Sequence, residues 1–400
     1  MRFALCVLLV ASVARATETQ TLPTGTFSLD VSYLSSSLDK QWSGDRKAIS
    51  LIDDSPRYEP GAGLQGILRA RPRAELSIAL LQILYGVTDW LTVGLYVPIV
   101  LQAKVTTNLS WQPGDYQSSV GRVYSFDDFW AWAASLGQPR VPDQWTGNQG
   151  KLSDLVLGGR VLLPRVGFME KSHFRWAGTL SVALPTGTNF DPEAAVSVGT
   201  NLWELNATGD VETHLAADQP LFLDDDGVAR VNLGADVFGS FFYPQRYVAG
   251  TGKVNPLLDN IAPYVGSTYT VNPGSWLGAS FNLEVSPIIG PSRASIVSGG
   301  DAAKARALPA LLTLSAGITH VRTAQTYWHS ESPTWDWDHE KYWQPGDKTT
   351  VRVGVTVSFL RLGVPLQLYA NYRTQSLVPG RYTRAADVFA VGARTVLKFW

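Results

Sequence analysis

Along most of this chain, apolar and polar side chains alternate at every second residue, and the pattern continues to the last residues. In Val351–Phe359, for example, valines occupy four odd positions, while Arg352, Thr356 and Ser358 lie between them. A period of two is typical of a β-strand with one apolar and one polar face. The pattern predicts twelve strands, at about 27–33, 74–86, 91–103, 155–163, 175–184, 203–212, 231–237, 277–285, 312–318, 351–359, 366–373 and 389–399.

The connections between these strands distinguish a membrane barrel from a soluble sandwich, because both folds share the period of two. One set of connections is mostly compact: 86–90, 165–173, 216–228, 287–306 and 360–363. The other set contains very long members: 34–72, 109–150, 187–197, 244–274, 323–348 and 376–385. Short turns at one rim and long loops at the other are typical of outer-membrane barrels, and lipid requires the sheet to close. The predicted fold class is therefore all-β: an antiparallel transmembrane β-barrel of about twelve strands, with short periplasmic turns and long extracellular loops.

One stretch, Leu76–Leu101, is almost continuously apolar and long enough to cross a bilayer as a helix. The turn residues Gly86–Asp89 interrupt it, and Asp89 would cost roughly 2.5–3.5 kcal/mol at the centre of a bilayer. Beyond the turn the period is two. The stretch is therefore predicted to be a hairpin of two strands.

Composition and the first residues indicate an exported protein. Charged residues make up 17% of the chain and aromatic residues 11%, which is unlike a disordered chain. The chain also lacks a block of Lys or Arg, so a nucleic-acid partner is not expected. Arg2, the apolar run Phe3–Val13 and Ala14-Arg15-Ala16 form a signal-peptide pattern. We therefore expect a signal peptide at 1–16, a single barrel domain at 17–400, and location in the outer membrane of a Gram-negative bacterium.

Three short motifs resemble one family of outer-membrane proteins. The hairpin Gly86–Leu91, with Val97-Pro98 beyond it, resembles the G-[LV]-T-D-x-[LW]…V-P hairpin of the outer-membrane transporter family named after the meta-pathway of phenol degradation. Ser153–Gly158 resembles that family's G-D-L-x-L-G strand start, and Leu184–Gly187 resembles its L-P-T-G strand end. The resemblance covers about the first half of the chain. It implies an outer-membrane barrel and passage of small or hydrophobic organic molecules, and it brings no catalytic residues.

The sequence shows no enzyme-like constellation. The histidines are His173, His214, His320, His329 and His339, and the single cysteine is Cys6. None of them has the spacing of a zinc site or of a metalloprotease. We therefore expect no catalytic residue, no metal and no cofactor.

The polar rows of the strands are predicted to line the lumen, and they carry both signs of charge. The candidate lining residues are Asp154, Arg160, Arg175, Glu204, Asp210, Glu212, Arg230, Asp236, Glu284, Arg352, Arg373 and Arg394. Twelve strands enclose a modest bore. Two functions remain open: a porin-like channel for passive uptake of small molecules, which could include hydrophobic or aromatic ones, and a barrel plugged by its own side chains that acts as a surface binding or structural protein. An outer-membrane enzyme is the least favoured alternative.

The predicted loops hold most of the tryptophans, including Trp130, Trp132, Trp335 and Trp337. The aromatic loops are expected either to pack at the membrane interface or to form a vestibule that captures ligands. Within one loop, Ser125 as an N-cap and apolar residues at three- and four-residue spacing predict a helix at about 126–136. The expected partners are outer-membrane lipid and lipopolysaccharide, the barrel-assembly machinery and a small-molecule solute.

Overall fold

A computed structural model describes residues 19–59, 63–115, 123–135, 140, 142–147, 149–164, 167, 172–187, 209–223, 228–248, 268–290, 308–330 and 345–398. Twelve long strands dominate the described residues. In chain order they are β1 (Thr26–Trp42), β2 (Arg73–Thr88), β3 (Leu91–Thr106), β4 (Leu155–Leu162), β5 (Arg175–Leu184), β6 (Asp210–Leu223), β7 (Ala229–Phe242), β8 (Trp276–Ile288), β9 (Leu312–Thr323), β10 (Gly346–Ser358), β11 (Leu366–Thr374) and β12 (Thr383–Lys398).

The twelve strands form one closed antiparallel barrel. Each strand pairs with the next along the chain, and β12 pairs with β1 from Thr26↔Lys398 to Trp42↔Thr383. Closure leaves no open sheet edge, whose unpaired backbone N–H and C=O groups could not form hydrogen bonds with lipid. The structure confirms the predicted fold class and the number of strands. Among the described residues, no helix is long and apolar enough to cross a bilayer.

The two faces of the barrel wall differ as the alternation predicts. Apolar side chains such as Val31 and Val353 are about half exposed, at 52% and 50%. Polar side chains on the other face, including Ser28, Asn232 and Ser358, are buried. This is the reverse of a soluble protein, and it identifies the exposed apolar face as the one that meets lipid.

The rims are unequal. Only Asp89 and Trp90 separate β2 from β3, and the Asp89 carboxylate accepts hydrogen bonds of 2.8 Å from both the N–H and the hydroxyl of Thr24. The same periplasmic rim holds the start of β1 and the end of β12. At the opposite rim, 107–154 joins β3 to β4, and short strands there extend the sheet. Gln144–Gly147 and Lys151–Leu152 pair with the upper part of β3.

The extracellular connections carry their own structure. Ala48–Ser50 pairs with the end of β1. One three-stranded sheet joins Ser55–Glu59, Gly63–Ala70 and Leu109–Pro113, and a second joins Gln245–Val248, Thr268–Asn272 and Tyr327–Ser330. The second sheet is separate from the barrel wall. On the periplasmic side, a 3₁₀ turn spans Leu360–Leu362.

The predicted loop helix is α1 (Phe126–Ser135). The Asp128 carboxylate accepts from the Ser125 N–H at 2.8 Å, and the Ser125 hydroxyl oxygen accepts from the Asp128 N–H at 3.2 Å. Ser125 and Asp128 therefore form a reciprocal capping box, with Asp in the place usually taken by Glu.

One strand differs from its predicted position. The sequence pattern placed a strand at 203–212 and a connection at 216–228, whereas β6 runs from Asp210 to Leu223, and residues 203–208 lie outside the described residues. The strand includes Pro220. This residue pairs with Asn232 of β7, and β5 begins opposite Asp218, so Pro220 lies beyond the end of β5. The missing N–H of Pro220 costs little stability, because β5 offers no hydrogen-bond acceptor at this position.

Candidate functional site: the barrel interior

The buried polar rows bring together side chains from strands that are not neighbours. On β12, Arg394 lies beside Asp30 of β1, with Nη2 2.7 Å from Oδ2. The Tyr369 hydroxyl of β11 donates to the other Asp30 oxygen at 2.6 Å. The Tyr369 ring crosses β12 at Gly392, where a Cβ would lie 2.4 Å from the ring. A glycine in the middle strand therefore lets residues two strands apart meet.

The same arrangement occurs on the next three strands of the wall, β8, β9 and β10. Arg352 of β10 donates to the Asn282 side-chain oxygen of β8 at 2.7 Å, across Gly317 of β9. A Cβ on Gly317 would lie 2.3 Å from that oxygen. Arg373 of β11 is the direct cross-strand neighbour of Arg352. Two cations thus lie next to each other on this part of the wall.

A histidine between two carboxylates lies on β6 and β7. The His214 Nδ1 is 2.8 Å from Asp236, its Nε2 is 3.1 Å from Glu212, and its ring stacks on Phe238 at 5.3 Å. Because the two carboxylates hold opposite ring nitrogens, they do not converge on one point. Within the described ranges, no group of three His, Cys, Asp or Glu residues could hold a metal ion.

The charges of the polar rows are unevenly distributed around the barrel. The strands β6, β7 and β8 carry acidic residues, namely Asp210, Glu212, Asp218, Asp236 and Glu284. The strands β10, β11 and β12 carry Arg352, Arg373 and Arg394. Opposite charges on separate arcs of a low-dielectric wall create a field across the interior.

The remaining candidate lining residues take different positions. Arg160 donates to the Thr179 hydroxyl at 3.0 Å, and Arg175 is the cross-strand neighbour of the buried Asp218. Arg230 is exposed near the periplasmic end of β7. Glu204 lies outside the described residues. The role of all these residues in a solute pathway stays a prediction.

Asp154 lies where the three motifs that resemble the outer-membrane transporter family meet, and its carboxylate contacts the backbone. Its two carboxylate oxygens accept from the N–H groups of Gly187, at 2.8 Å, and Gly209, at 3.3 Å. The neighbouring Ser153 N–H donates to the Pro98 carbonyl at 3.0 Å. Pieces of the three motifs therefore meet at the extracellular ends of β4 and β5, beside the middle of β3. Their shared position gives them a structural role in tying the loops to the wall.

The N-terminal segment before β1 contacts the inner wall. The Leu22 N–H donates to the Thr92 hydroxyl of β3 at 2.8 Å. Farther along, the Thr19 N–H donates at 3.0 Å to Asp218 of β6, and both Thr19 and Asp218 are buried. The segment thus reaches from β1 to β6 inside the barrel. No signal in the sequence pattern pointed to this contact.

The sequence pattern also missed an apolar inner wall. In the extracellular half, most inward-facing side chains of β12, β1, β2 and β3 are apolar, Ser36 being a polar exception, and they form one buried cluster: Leu34, Leu38, Ala74, Leu76, Ile78, Leu80, Val100, Ala103, Val105 and Ala390. Leu51 and Trp145 of the extracellular loops pack against this cluster, which we call the apolar inner wall. The signal for it was the apolar run Ile78–Leu81 in the middle of β2, since a strand that is apolar on both faces is covered on both.

The aromatic loop residues form a cluster above the barrel. Phe129 contacts Trp111, Trp130 and Trp132, with ring centroids 5.2, 5.1 and 5.8 Å away. The Arg57 guanidinium lies 3.1 Å from the centre of the Trp132 ring. Trp335 and Trp337 lie outside the described residues. The cluster packs α1 onto the loop sheet, and a role in ligand capture stays a prediction.

Comparisons with known proteins support the fold. No protein-family model and no curated protein matches the sequence. The solved structure of a COG4313 outer membrane channel from Pseudomonas putida F1 is similar, with a TM-score of 0.53, 12% identity, and coverage of 96% of this chain and 100% of that one. The NanC porin gives a TM-score of 0.37 at 7% identity, covering 92% and 98%. The CymD monoaromatic hydrocarbon channel gives 0.32 at 10%, covering 94% and 90%.

At these identities the likeness concerns the fold. The likeness to the COG4313 channel agrees with the closed wall of twelve strands, and the exposed apolar outer face is the one that lipid would cover. The chain is therefore a porin-like β-barrel of the outer membrane.

Proposed function

We propose that the barrel is a channel for the passive uptake of small molecules that have an apolar or aromatic part. The observation that carries the proposal is the apolar inner wall, which lies in the extracellular half of an interior whose other rows are polar and charged. A solute with an apolar ring would find one wall of matching chemistry, and its polar groups would face the acidic and basic arcs. The COG4313 channel of the same fold supports a channel.

The alternative is a barrel closed by its own side chains that acts as a surface binding or structural protein. Leu51 and Trp145 favour it, because they cover the apolar inner wall where a solute would bind. The contact between Thr19 and Asp218 favours it as well. Both functions use the same fold, so only a measurement of flux separates them.

The test is reconstitution of the purified protein in planar bilayers and in liposomes. We expect ionic current, and faster uptake of benzoate than of glucose. Trp145→Ala removes a loop side chain from the apolar inner wall and should increase benzoate uptake. Trp132→Ala, in the loop cluster above the barrel, is the matched control and should not. A folded barrel that passes neither current nor solute would contradict the proposal and favour the alternative.

Insertion by the barrel-assembly machinery belongs to the same proposal. The last strand, β12, presents Phe389, Val391 and Leu397 to the lipid, as a barrel-assembly signal would. The terminal Phe399-Trp400 lies outside the described residues. Depletion of that machinery should prevent the protein from reaching the outer membrane, and normal insertion under depletion would contradict this part.

A further inference from the structure

A groove of about 310 Å³ lies on the outer face of the barrel wall. Its floor is made by Ser35 and Ser37 of β1 and Ser77 of β2, with Gln102 of β3 at one side. The three serine side chains are short, whereas outward-facing neighbours such as Arg73 and Phe389 are long, and this difference in length creates the groove.

The lower margin of the groove is aromatic. Tyr372 of β11 and Phe389 of β12 are cross-strand neighbours, and both are more than 40% exposed on the outer face. Tyr33 of β1 also faces outward, and its hydroxyl lies 3.0 Å from the Ser77 hydroxyl. Aromatic side chains in such a band mark the boundary between hydrocarbon and head groups.

The upper margin of the groove is charged. The Glu75 carboxylate lies 3.0 Å from Arg73 and 3.7 Å from Lys104, so two cations share one anion. The Arg73 side chain is 55% exposed and the Lys104 side chain 30%. On the other side, the Asp387 carboxylate accepts from the Thr374 hydroxyl at 2.5 Å. The charges at this margin balance, with the two cations beside Glu75 on the β2 and β3 side and the Asp387 carboxylate on the other side.

The polarity of the wall reverses at this height. Below the aromatic band, apolar side chains such as Val31 point outward and Asp30 points inward. Above it, Leu34 and Leu38 point inward, and Ser35 and Ser37 point outward. The reversal indicates that hydrocarbon ends at the band, so the groove lies at the level of the outer-leaflet head groups.

We propose that this groove binds the head group of a phosphorylated glycolipid of the outer leaflet, such as lipid A. Sugar hydroxyls would bond with the serines and Gln102, a phosphate would pair with Arg73 and Lys104, and the acyl chains would follow the apolar belt below Tyr33. Hydrogen bonds from cations to phosphate are among the stronger polar contacts. This site does not depend on whether the lumen conducts.

The test is native mass spectrometry of the full barrel in detergent with phosphorylated lipid A. Ser35→Trp with Ser77→Trp fills the groove, and Arg73→Gln with Lys104→Gln removes its cations. Each pair should weaken lipid A binding about tenfold or more, a loss of about 1.4 kcal/mol per factor of ten. Thr213→Trp and Arg322→Gln, on the outer face of other strands, are the matched controls and should bind like the wild type. Heat-modifiable migration in gels reports whether each variant is folded.

Three outcomes would overturn the proposal. Equal lipid A binding by all folded variants would show that the groove is not the site. Competition by inorganic phosphate alone at equal concentration would indicate a free-phosphate site. A dimer that the tryptophan pair dissociates, with lipid A binding unchanged, would assign the groove to a second copy of the chain.

Discussion

Single residues decide the polar contacts of the interior where a side chain must cross a neighbouring strand. Gly392 and Gly317 are needed because a Cβ at either position would overlap the side chain that passes over it. Gly159, on β4, has no such neighbour, since its nearest atom is the Thr92 carbonyl oxygen at 3.9 Å. Glycines that look equivalent in the sequence therefore differ in the cost of substitution.

Replacing Gly392 by Ala should destabilise the barrel by about 1–3 kcal/mol, because the Tyr369 ring must shift away from Asp30. The measurement is urea unfolding in detergent micelles. Gly159→Ala should change the free energy of unfolding little. If the two variants are equally stable, the contact between Tyr369 and Gly392 does not constrain the wall.

A second residue-scale prediction concerns pH. The Arg71 guanidinium, which bonds to Asp54 at 2.6 Å, lowers the pKa of that carboxyl below its usual value of 3.8, and Arg69 adds to the effect. A lowered pKa contributes stability above the unfolded pKa, and this contribution is lost as pH falls through the folded pKa. Protease sensitivity of the loop sheet should therefore rise only below about pH 4. Asp54→Asn should remove that pH dependence, and an unchanged profile would contradict it.

At the scale of elements, tertiary packing stabilises α1, and local capping determines the residue at which it begins. A helix of this length does not persist alone in water, so the aromatic cluster around Phe129 must hold it. The capping box at Ser125 sets where it begins. The sequence predicted this helix well, because the N-cap at Ser125 and the apolar residues of its packed face lie within about ten residues of each other.

Ser125→Ala should destabilise α1 by about 1 kcal/mol, since the Asp128 N–H loses its acceptor and the Asp128 carboxylate loses the Ser125 hydroxyl as a donor. Hydrogen exchange of the 126–135 amides should accelerate, while global unfolding of the barrel should not change. Ser135→Ala, at the other end of α1, removes a hydroxyl outside the capping box and is the control. Faster exchange throughout the barrel would show that α1 is not a separate unit.

Because adjacent residues of β10 face opposite sides of the wall, the same substitution should reduce stability by different amounts at the two positions. Val355 faces lipid, whereas Thr356 lies on the inward face. Val355→Arg should cost about 2–4 kcal/mol near the bilayer midplane, and Thr356→Arg should cost less. The comparison is made by reversible unfolding in lipid vesicles. Equal destabilisation would mean that the assigned faces of β10 are wrong.

The sequence alone predicted the strands and the outer face, and it failed where distant segments meet. Alternation follows from each strand's own residues, so it needs no partner. The apolar inner wall depends on Trp145, which lies far from β1 and β2 in the chain, and on Leu51 in the loop between them, and the alternation within a strand carries no information about either contact. The same holds for Thr19 against Asp218, and for Pro220, whose tolerance depends on where another strand begins.

At the scale of the whole molecule, the unequal rims fix the orientation in the membrane. Leu377 lies in the connection between β11 and β12, on the extracellular side, and is 68% exposed. Val364 lies between β10 and β11, on the periplasmic side, and is 47% exposed. These exposures make the two positions suitable reporters for the two sides of the membrane.

A membrane-impermeant maleimide should label Leu377→Cys on intact cells, and should label Val364→Cys only after the outer membrane is permeabilised. The predicted removal of Cys6 with the signal peptide would leave no other thiol. Labelling of Val364→Cys alone on intact cells would invert the orientation.

The seam between β12 and β1 also governs when the molecule can form. It comprises sixteen residue pairs, more than any other pair of neighbouring strands, and it joins the two ends of the sequence. A sheet that still lacks β12 has two open edges, and pairing between strands that are adjacent in the sequence cannot close it. Closing so large a loop is entropically costly and slow. The pairing of β12 with β1 is therefore a late step in folding. Until it occurs, the two open strand edges must be shielded from pairing with other protein chains.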